Sequence, residues 1–225
     1  MPAYRSTVHQ RIDIIIATLL VFCSISIILS RECILFLNGE NDREVRMIYT
    51  NHYESPLGNI LLAGDEEGLT GLWFTEGGRY TGLGLKKDAV PRDTEYFEQT
   101  KRWLDVYFTG RDPGFVPKMH LVGSDFRNRV GEIMCEIPFG ETVTYGWIAD
   151  RIARERGLEK MSAQAVGGAV GHNPICIIVP CHRVVGANGS LTGYGGGILR
   201  KKALLELEGV DIDTLRKSTA FHCHT

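Results

Sequence analysis

The short run Ile175-Cys176-Ile177-Ile178-Val179, bracketed by Pro174 and Pro180, constrains the fold of this chain more than any other stretch. It is too short for an ordinary helix and β-branched at four of its five positions, so it reads as a buried strand ended by Pro180. Its end delivers Cys181 beside His182. A cysteine at the end of a rigid strand can be aimed, and a thiol becomes a strong nucleophile when a neighbouring base or positive field raises its thiolate fraction. Consecutive side chains on extended backbone point to opposite sides, so Cys181 and His182 cooperate only where the chain turns or a water links them. Pro180 makes a turn plausible. Alone, a Cys-His dipeptide more often marks a buried thiol next to a satisfied core histidine; the surrounding sequence decides between the two.

Upstream, Ile48 to Tyr53, Gly58 to Ala63 and Leu69 to Thr75 are strand-like, with Gly64-Asp65-Glu66-Glu67-Gly68 as the hairpin turn between the last two. Tyr96, Phe97, Leu104, Tyr107 and Phe108 then recur at helical spacing until Gly110 and Pro113, an aromatic stripe that reads as core. A second helix, opened by Ser124 or Asp125, carries Phe126, Val130, Ile133 and Met134 and closes before Pro138 and Gly140. Another follows Thr144 with Ile148 and Ile152 inward, and Gly157 ends it; the next begins at Ser162. Short helices with tight turns suggest a helix-turn-helix arrangement. The helix after Ser162 lacks bulk: Ala163, Ala165, Gly167, Gly168 and Ala169 weaken it but let its backbone approach another surface closely.

Pro180-Cys181-His182-Arg183-Val184-Val185, preceded by Asn173-Pro174 and the apolar run, resembles the active-site signature of the O6-alkylguanine-DNA alkyltransferases, also called methylated-DNA–protein-cysteine methyltransferases. The resemblance extends through Ile137-Pro138-Phe139-Gly140-Glu141-Thr142-Val143-Thr144-Tyr145 and Ala165-Val166-Gly167-Gly168-Ala169-Val170, then Gly193-Tyr194-Gly195-Gly196 and Leu204-Leu205-Glu206-Leu207-Glu208-Gly209. It covers residues 47–209 and is strongest from Phe126 onward. It implies an α/β protein with a small ribonuclease-H-like domain over 47–118, then a winged helix-turn-helix-like domain over 119–211 that binds DNA and holds the active site, with 212–225 as a tail.

The same resemblance assigns roles by position. Cys181 is the alkyl acceptor, His182 the base acting through water, Glu208 the carboxylate that orients the histidine, and Tyr145 a proton donor to the guanine ring. Asn173 braces the turn, Tyr194 and the Val184 backbone enclose and read the flipped base, and the slim helix with Ala165 and Gly168 enters the minor groove. Arg183 reads as a structural ion-pair residue. A carboxylate beside His182 is expected to favour imidazolium, which in turn favours thiolate. One departure stands out: Gln164 occupies the place where the family often carries an arginine, which weakens the expected charge contact. The implied function is stoichiometric transfer of an alkyl group from O6-alkylguanine, less well O4-alkylthymine, in double-stranded DNA to Cys181. No cofactor, metal or obligatory protein partner is implied.

Two rivals are a non-catalytic lesion-recognition protein of the alkyltransferase-like type, whose defining change is loss of the cysteine that Cys181 supplies here, and a cysteine hydrolase using Cys181, His182 and Glu208. With 25 Lys plus Arg against 27 Asp plus Glu, the chain is not basic overall, so DNA contact must use a local patch. Six cysteines form no paired framework, consistent with a reducing, cytoplasmic setting; Cys176, Cys181 and His182 lack a fourth ligand at zinc-like spacing, and His222-Cys223-His224 reads as a polar tail. Residues 14–29 carry no charge, just short of the roughly 17–25 residues of a spanning helix. The preferred account is that residues 1–46 come from an upstream start, with a membrane segment over 14–30 as the alternative.

Overall fold

A computed structural model describes residues 47–77, 85, 88–213 and 215. The expected strands form as β1 (Tyr49–Ser55), β2 (Gly58–Gly64) and β3 (Leu69–Phe74). They pair antiparallel in succession, β1 with β2 from Tyr49↔Gly64 to Ser55↔Gly58, and β2 with β3 from Ile60↔Phe74 onward. The turn between β2 and β3 is fixed by the Asp65 carboxylate, which accepts hydrogen bonds from the backbone N–H groups of Glu67 at 2.9 Å and Gly68 at 3.2 Å. A two-residue strand, β4 (Val90–Pro91), adds parallel to β1 and completes the order β3-β2-β1-β4. It escaped the sequence reading because two exposed residues carry no periodicity, and Pro91 is tolerated there as an edge residue.

Helix α1 (Glu95–Tyr107) covers this sheet's apolar side with Phe97, Trp103, Leu104 and Tyr107; Thr94 caps it by accepting from the Phe97 N–H. Helices α2 (Asp125–Cys135), α3 (Tyr145–Glu155) and α4 (Ala163–Gly171) begin where the sequence expects, capped by Ser124, Thr144 and Ser162. Such caps each stabilise a helix by about 1 kcal/mol. Helix α4 packs against both α2 and α3, burying Val166, Ala169 and Val170 and leaving Gln164, Ala165 and Gly168 exposed. The last helix, α5 (Ile198–Leu207), buries Lys201, Leu204 and Leu205. One core joins the sheet, α1 and these helices, and each fully buried Leu, Ile or Phe in it contributes roughly 1.5–3 kcal/mol.

The run Ile175 to Val179 is buried, as expected, but it is not a strand. Ile175 makes a single bridge to Leu72, with the Leu72 N–H donating to Pro174 O at 2.8 Å and the Cys176 N–H to Leu72 O at 3.0 Å. The chain then winds into turns, the Val179 N–H reaching back to Ile175 O at 3.1 Å, with Ile177 at φ +70°. A β-branched residue in that region costs about 1–3 kcal/mol. The Asn173 amide decides the matter: it donates to Ile175 O at 3.3 Å and Val179 O at 2.7 Å while its oxygen accepts from the Ile175 N–H at 3.1 Å. A side chain thus satisfies the backbone groups that a neighbouring strand would otherwise pair. The β-branched composition reports burial here, not extension.

A single turn of 3-10 helix, Cys181–Arg183, follows Pro180 and runs into β6 (Val184–Val185). β6 pairs parallel with β5 (Val143–Thr144), Val143 opposite Val184, so the start of α3 is tied to the end of the cysteine turn. This second pair is also too short to be read from sequence. Among the described residues no helix is long and apolar enough to cross a membrane. The extension 1–46 with its uncharged run, Cys23, Cys33 and the His222-Cys223-His224 tail lie outside the described residues.

Candidate active site

Cys181 and His182 lie in the 3-10 turn, where successive side chains are not forced to opposite sides as in a strand. Both are buried. The Asn173 amide that shapes the preceding turns also donates to Cys181 Sγ at 3.1 Å, so the brace and the nucleophile share one group. The neighbouring Cys176 thiol is the largest influence holding the Cys181 thiol below its ordinary pKa; burial opposes it, while Asn173 and the Lys201 charge assist. Cys176 itself is pushed well above the usual thiol range by its interaction with Cys181 and by its burial. Of the two thiols, Cys181 is the one whose ionisation the surroundings favour.

Glu208, the residue that ends α5, gathers five hydrogen bonds. Its Oε1 accepts from His182 Nε2 at 2.7 Å, Tyr107 Oη at 2.7 Å and Arg183 Nη2 at 3.0 Å. Its Oε2 accepts from Arg183 Nε at 2.9 Å and the Gly140 N–H at 3.1 Å. Burial would raise its pKa, but His182 and Arg183 together hold it down at about 2. Gly140 sits at φ +78°, and a Cβ there would lie 2.9 Å from Glu208 O, so this close approach needs glycine. Arg183 also donates to Ile137 O at 2.6 Å, as a structural ion-pair residue would.

An ionised carboxylate only accepts, so His182 Nε2 carries the ring proton and Nδ1 keeps a free lone pair. Nδ1 is buried without a partner among the described residues. Burial lowers the His182 pKa; Glu208 opposes this, and the Arg183 and Lys201 charges add to it. Burial, the largest influence, thus works against the imidazolium that Glu208 alone would favour, and the Arg183 charge beside Glu208 adds to it. The thiol is tuned instead by Cys176, Asn173 and Lys201.

Lys201 is fully buried and donates to Val184 O at 2.6 Å and Thr192 O at 3.0 Å, with its pKa lowered to about 8 by burial. The Val184 N–H is taken by Cys181 O. Tyr145, at the start of α3, donates to Thr192 O at 2.9 Å, and burial followed by the nearby Cys181 raises its pKa to about 12. Tyr194 is buried with its ring 6.5 Å from that of His182, and its hydroxyl has no partner among the described residues. Gly167, Gly168 and Gly171 of α4 face Gly193, Tyr194 and Gly197 across a cleft of about 400 Å³.

The site residues read from sequence therefore fall into two groups. Cys181, His182, Glu208, Asn173 and Val184 are joined by hydrogen bonds or by the 3-10 turn, with Tyr145 and Tyr194 beside them; Gln164, Ala165 and Gly168 lie apart on the exposed face of α4. Cys176, Lys201 and Tyr107 were missed. Tyr107 belongs to the aromatic stripe read as core, and nothing local marks its hydroxyl. Away from this site, Asp65, Glu67 and His120 bring ligand atoms within 4.8 Å of one another, with His120 Nδ1 and Asp65 Oδ2 2.7 Å apart.

A buried cysteine within a buried polar network, and a cleft between a slim helix and a glycine-rich loop that carries Tyr194, belong to an α/β protein of two parts. Residues 48–115 match the ribonuclease-like domain of 6-O-methylguanine DNA methyltransferase, and residues 125–210 match its DNA binding domain. The chain belongs to this family. It is 45% identical over 166 residues to the methylated-DNA–protein-cysteine methyltransferase of Methanosarcina acetivorans, covering 72% of this chain and 99% of the relative. The Mycobacterium bovis protein of the same name is 46% identical over 162 residues, covering 72% and 93%. Among solved structures, Mycobacterium tuberculosis OGT in complex with DNA superposes with a TM-score of 0.62 at 44% identity, covering 74% of this chain and 98% of that one.

Proposed function

We propose that this chain repairs double-stranded DNA by moving the alkyl group of O6-alkylguanine, and less well of O4-alkylthymine, onto Cys181, once per molecule. The observation that carries the reading is a buried Cys181 thiol held by Asn173 at 3.1 Å next to a His182 whose Nε2 is fixed on Glu208 at 2.7 Å, leaving Nδ1 unpartnered among the described residues. The Cys181 proton passes through a water to Nδ1, and the sulfur attacks the alkyl carbon. The carbon–O6 bond breaks, and its electron pair stays with the guanine. Tyr145, kept protonated at neutral pH, turns from Thr192 O and donates its proton to the base, so a neutral guanine leaves. His182 is left protonated and Tyr145 as its phenolate; the proton returns from Nδ1 through solvent to Tyr145, so the proton given up by the thiol matches the one gained by the base, and the thioether is too stable to reverse. No metal, nucleotide or methyl-donor cofactor is needed.

Binding follows from the exposed face of α4, where Gln164, Ala165 and Gly168 present slim groups to the minor groove. The extruded base enters the cleft beside Tyr194, near the Val184 backbone, while Asn173 keeps the turn in place. The work divides between a ribonuclease-like part over 47–118 and a DNA-binding part over 119–211, in the cytoplasm, where a free thiol survives. Intact-protein mass spectrometry after incubation with an O6-methylguanine duplex tests the reading, with Cys181→Ala as control. A gain of one methylene on the unaltered protein alone is expected. Tight lesion binding with no mass gain would establish recognition without transfer instead.

A further inference from the structure

Tyr107 lies in the stretch that matches the ribonuclease-like domain, yet its hydroxyl ends among residues of the DNA-binding part. Its ring is fully buried, stacked on Trp103 with centroids 5.1 Å apart and edge-on to Phe108 and Phe139 at 5.5 and 6.0 Å. Those contacts fix the place of the hydroxyl. It donates to Glu208 Oε1 at 2.7 Å and stands 3.3 Å from His182 Nε2, which itself donates to Oε1 at 2.7 Å. The three groups close a triangle, so the His182 Nε2–H points between a carboxylate oxygen and a phenol oxygen.

Resting on the alkyl-transfer reading above, the geometry points to Tyr107 as a positioning residue through which the ribonuclease-like domain holds His182 in the orientation and proton state that transfer requires. Every donor on Glu208 Oε1 draws charge from that oxygen and leaves less of it to stabilise an imidazolium. The groups facing His182 are balanced: Glu208 favours its protonation, Arg183 and Lys201 oppose it, and Tyr107, Tyr194 and the Cys181 thiol are neutral neighbours when protonated. Without the Tyr107 hydroxyl, Oε1 keeps two donors instead of three and grips Nε2–H more strongly. The imidazolium is then stabilised, and less neutral His182 is available to accept the Cys181 proton. A domain without a nucleophile thereby controls the base that serves one.

The test uses the full chain carrying Tyr107→Phe, with Phe108→Leu as a variant that disturbs packing around the same ring without touching the hydrogen bonds. Single-turnover methyl transfer from an O6-methylguanine duplex is followed from about pH 5 to about pH 9, alongside a nitrogen-NMR titration of the His182 ring. For Tyr107→Phe, transfer at neutral pH slows on the order of tenfold. The acid limb of the profile and the His182 titration both move to higher pH, and affinity for the duplex is unchanged. Phe108→Leu lowers Tm but moves neither curve. An unmoved profile and titration in Tyr107→Phe, or equal movement in Phe108→Leu, overturns the inference. Should the unaltered chain transfer no methyl, the alkyl-transfer reading fails, and the His182 titration still decides the role of Tyr107.

Discussion

Glu208 shows how one side chain can be committed by its surroundings. A carboxylate at a helix C-terminus is disfavoured by the helix dipole, yet five donors converge on it and outweigh that cost. Its pairing with His182 was visible in the sequence, through resemblance. Cys176 was not visible, since a cysteine in an apolar run looks like any small buried residue. Its thiol is the largest of the influences that lower the Cys181 pKa. Cys176→Ala should therefore raise the Cys181 pKa, so that alkylation of Cys181 by iodoacetamide at neutral pH slows several-fold while the rate at high pH is kept. Equal rates across the whole pH range would mean that Asn173 and Lys201 suffice.

At the scale of elements, α4 gives up intrinsic stability for slimness. Its interior glycines at 167 and 168 each cost about 1 kcal/mol relative to alanine, and packing against α2 and α3 has to offset this. Its start was legible because Ser162 caps it, as Ser124 and Thr144 cap α2 and α3. The exposed Gln164 adds no charge to this face. Gln164→Arg should tighten binding to duplex DNA and steepen the fall of log affinity with log salt by about one phosphate contact. Binding measured over a salt series checks this, and parallel lines for the two proteins would show that position 164 does not meet the backbone. The turn from Ile175 to Val179 went the other way: its composition predicted a strand, and the Asn173 amide drew it into turns.

Across the whole molecule, the buried ion network couples folding to pH. The folded-state pKa of Glu208 is depressed from 4.5 to about 2, so the folded chain holds fewer protons than the unfolded one between these values. Its contribution to stability is full above the ordinary carboxylate pKa and is lost as pH falls through that window. Urea midpoints should therefore drop between about pH 4.5 and pH 2, and Glu208→Gln should flatten that part of the curve while lowering stability at neutral pH, because Arg183 is left buried without its partner. A Glu208→Gln curve parallel to the unaltered one would assign the acid sensitivity to other carboxylates.

Local chemistry settled much of this protein from the sequence alone. Caps, turn residues and periodicity act over a few positions, so β1 to β3 and the starts of α2, α3 and α4 follow directly from neighbours in the chain. The Pro180-Cys181-His182-Arg183 signature and its flanking blocks likewise pointed to the family. Only the tertiary structure decided what the buried polar groups do. Tyr107 and Lys201 take their places from partners far along the chain, and Cys176 takes its place from a turn that Asn173 imposes. In a site closed to water, a group's protonation is set by whatever faces it in space, and spacing along the sequence does not record that.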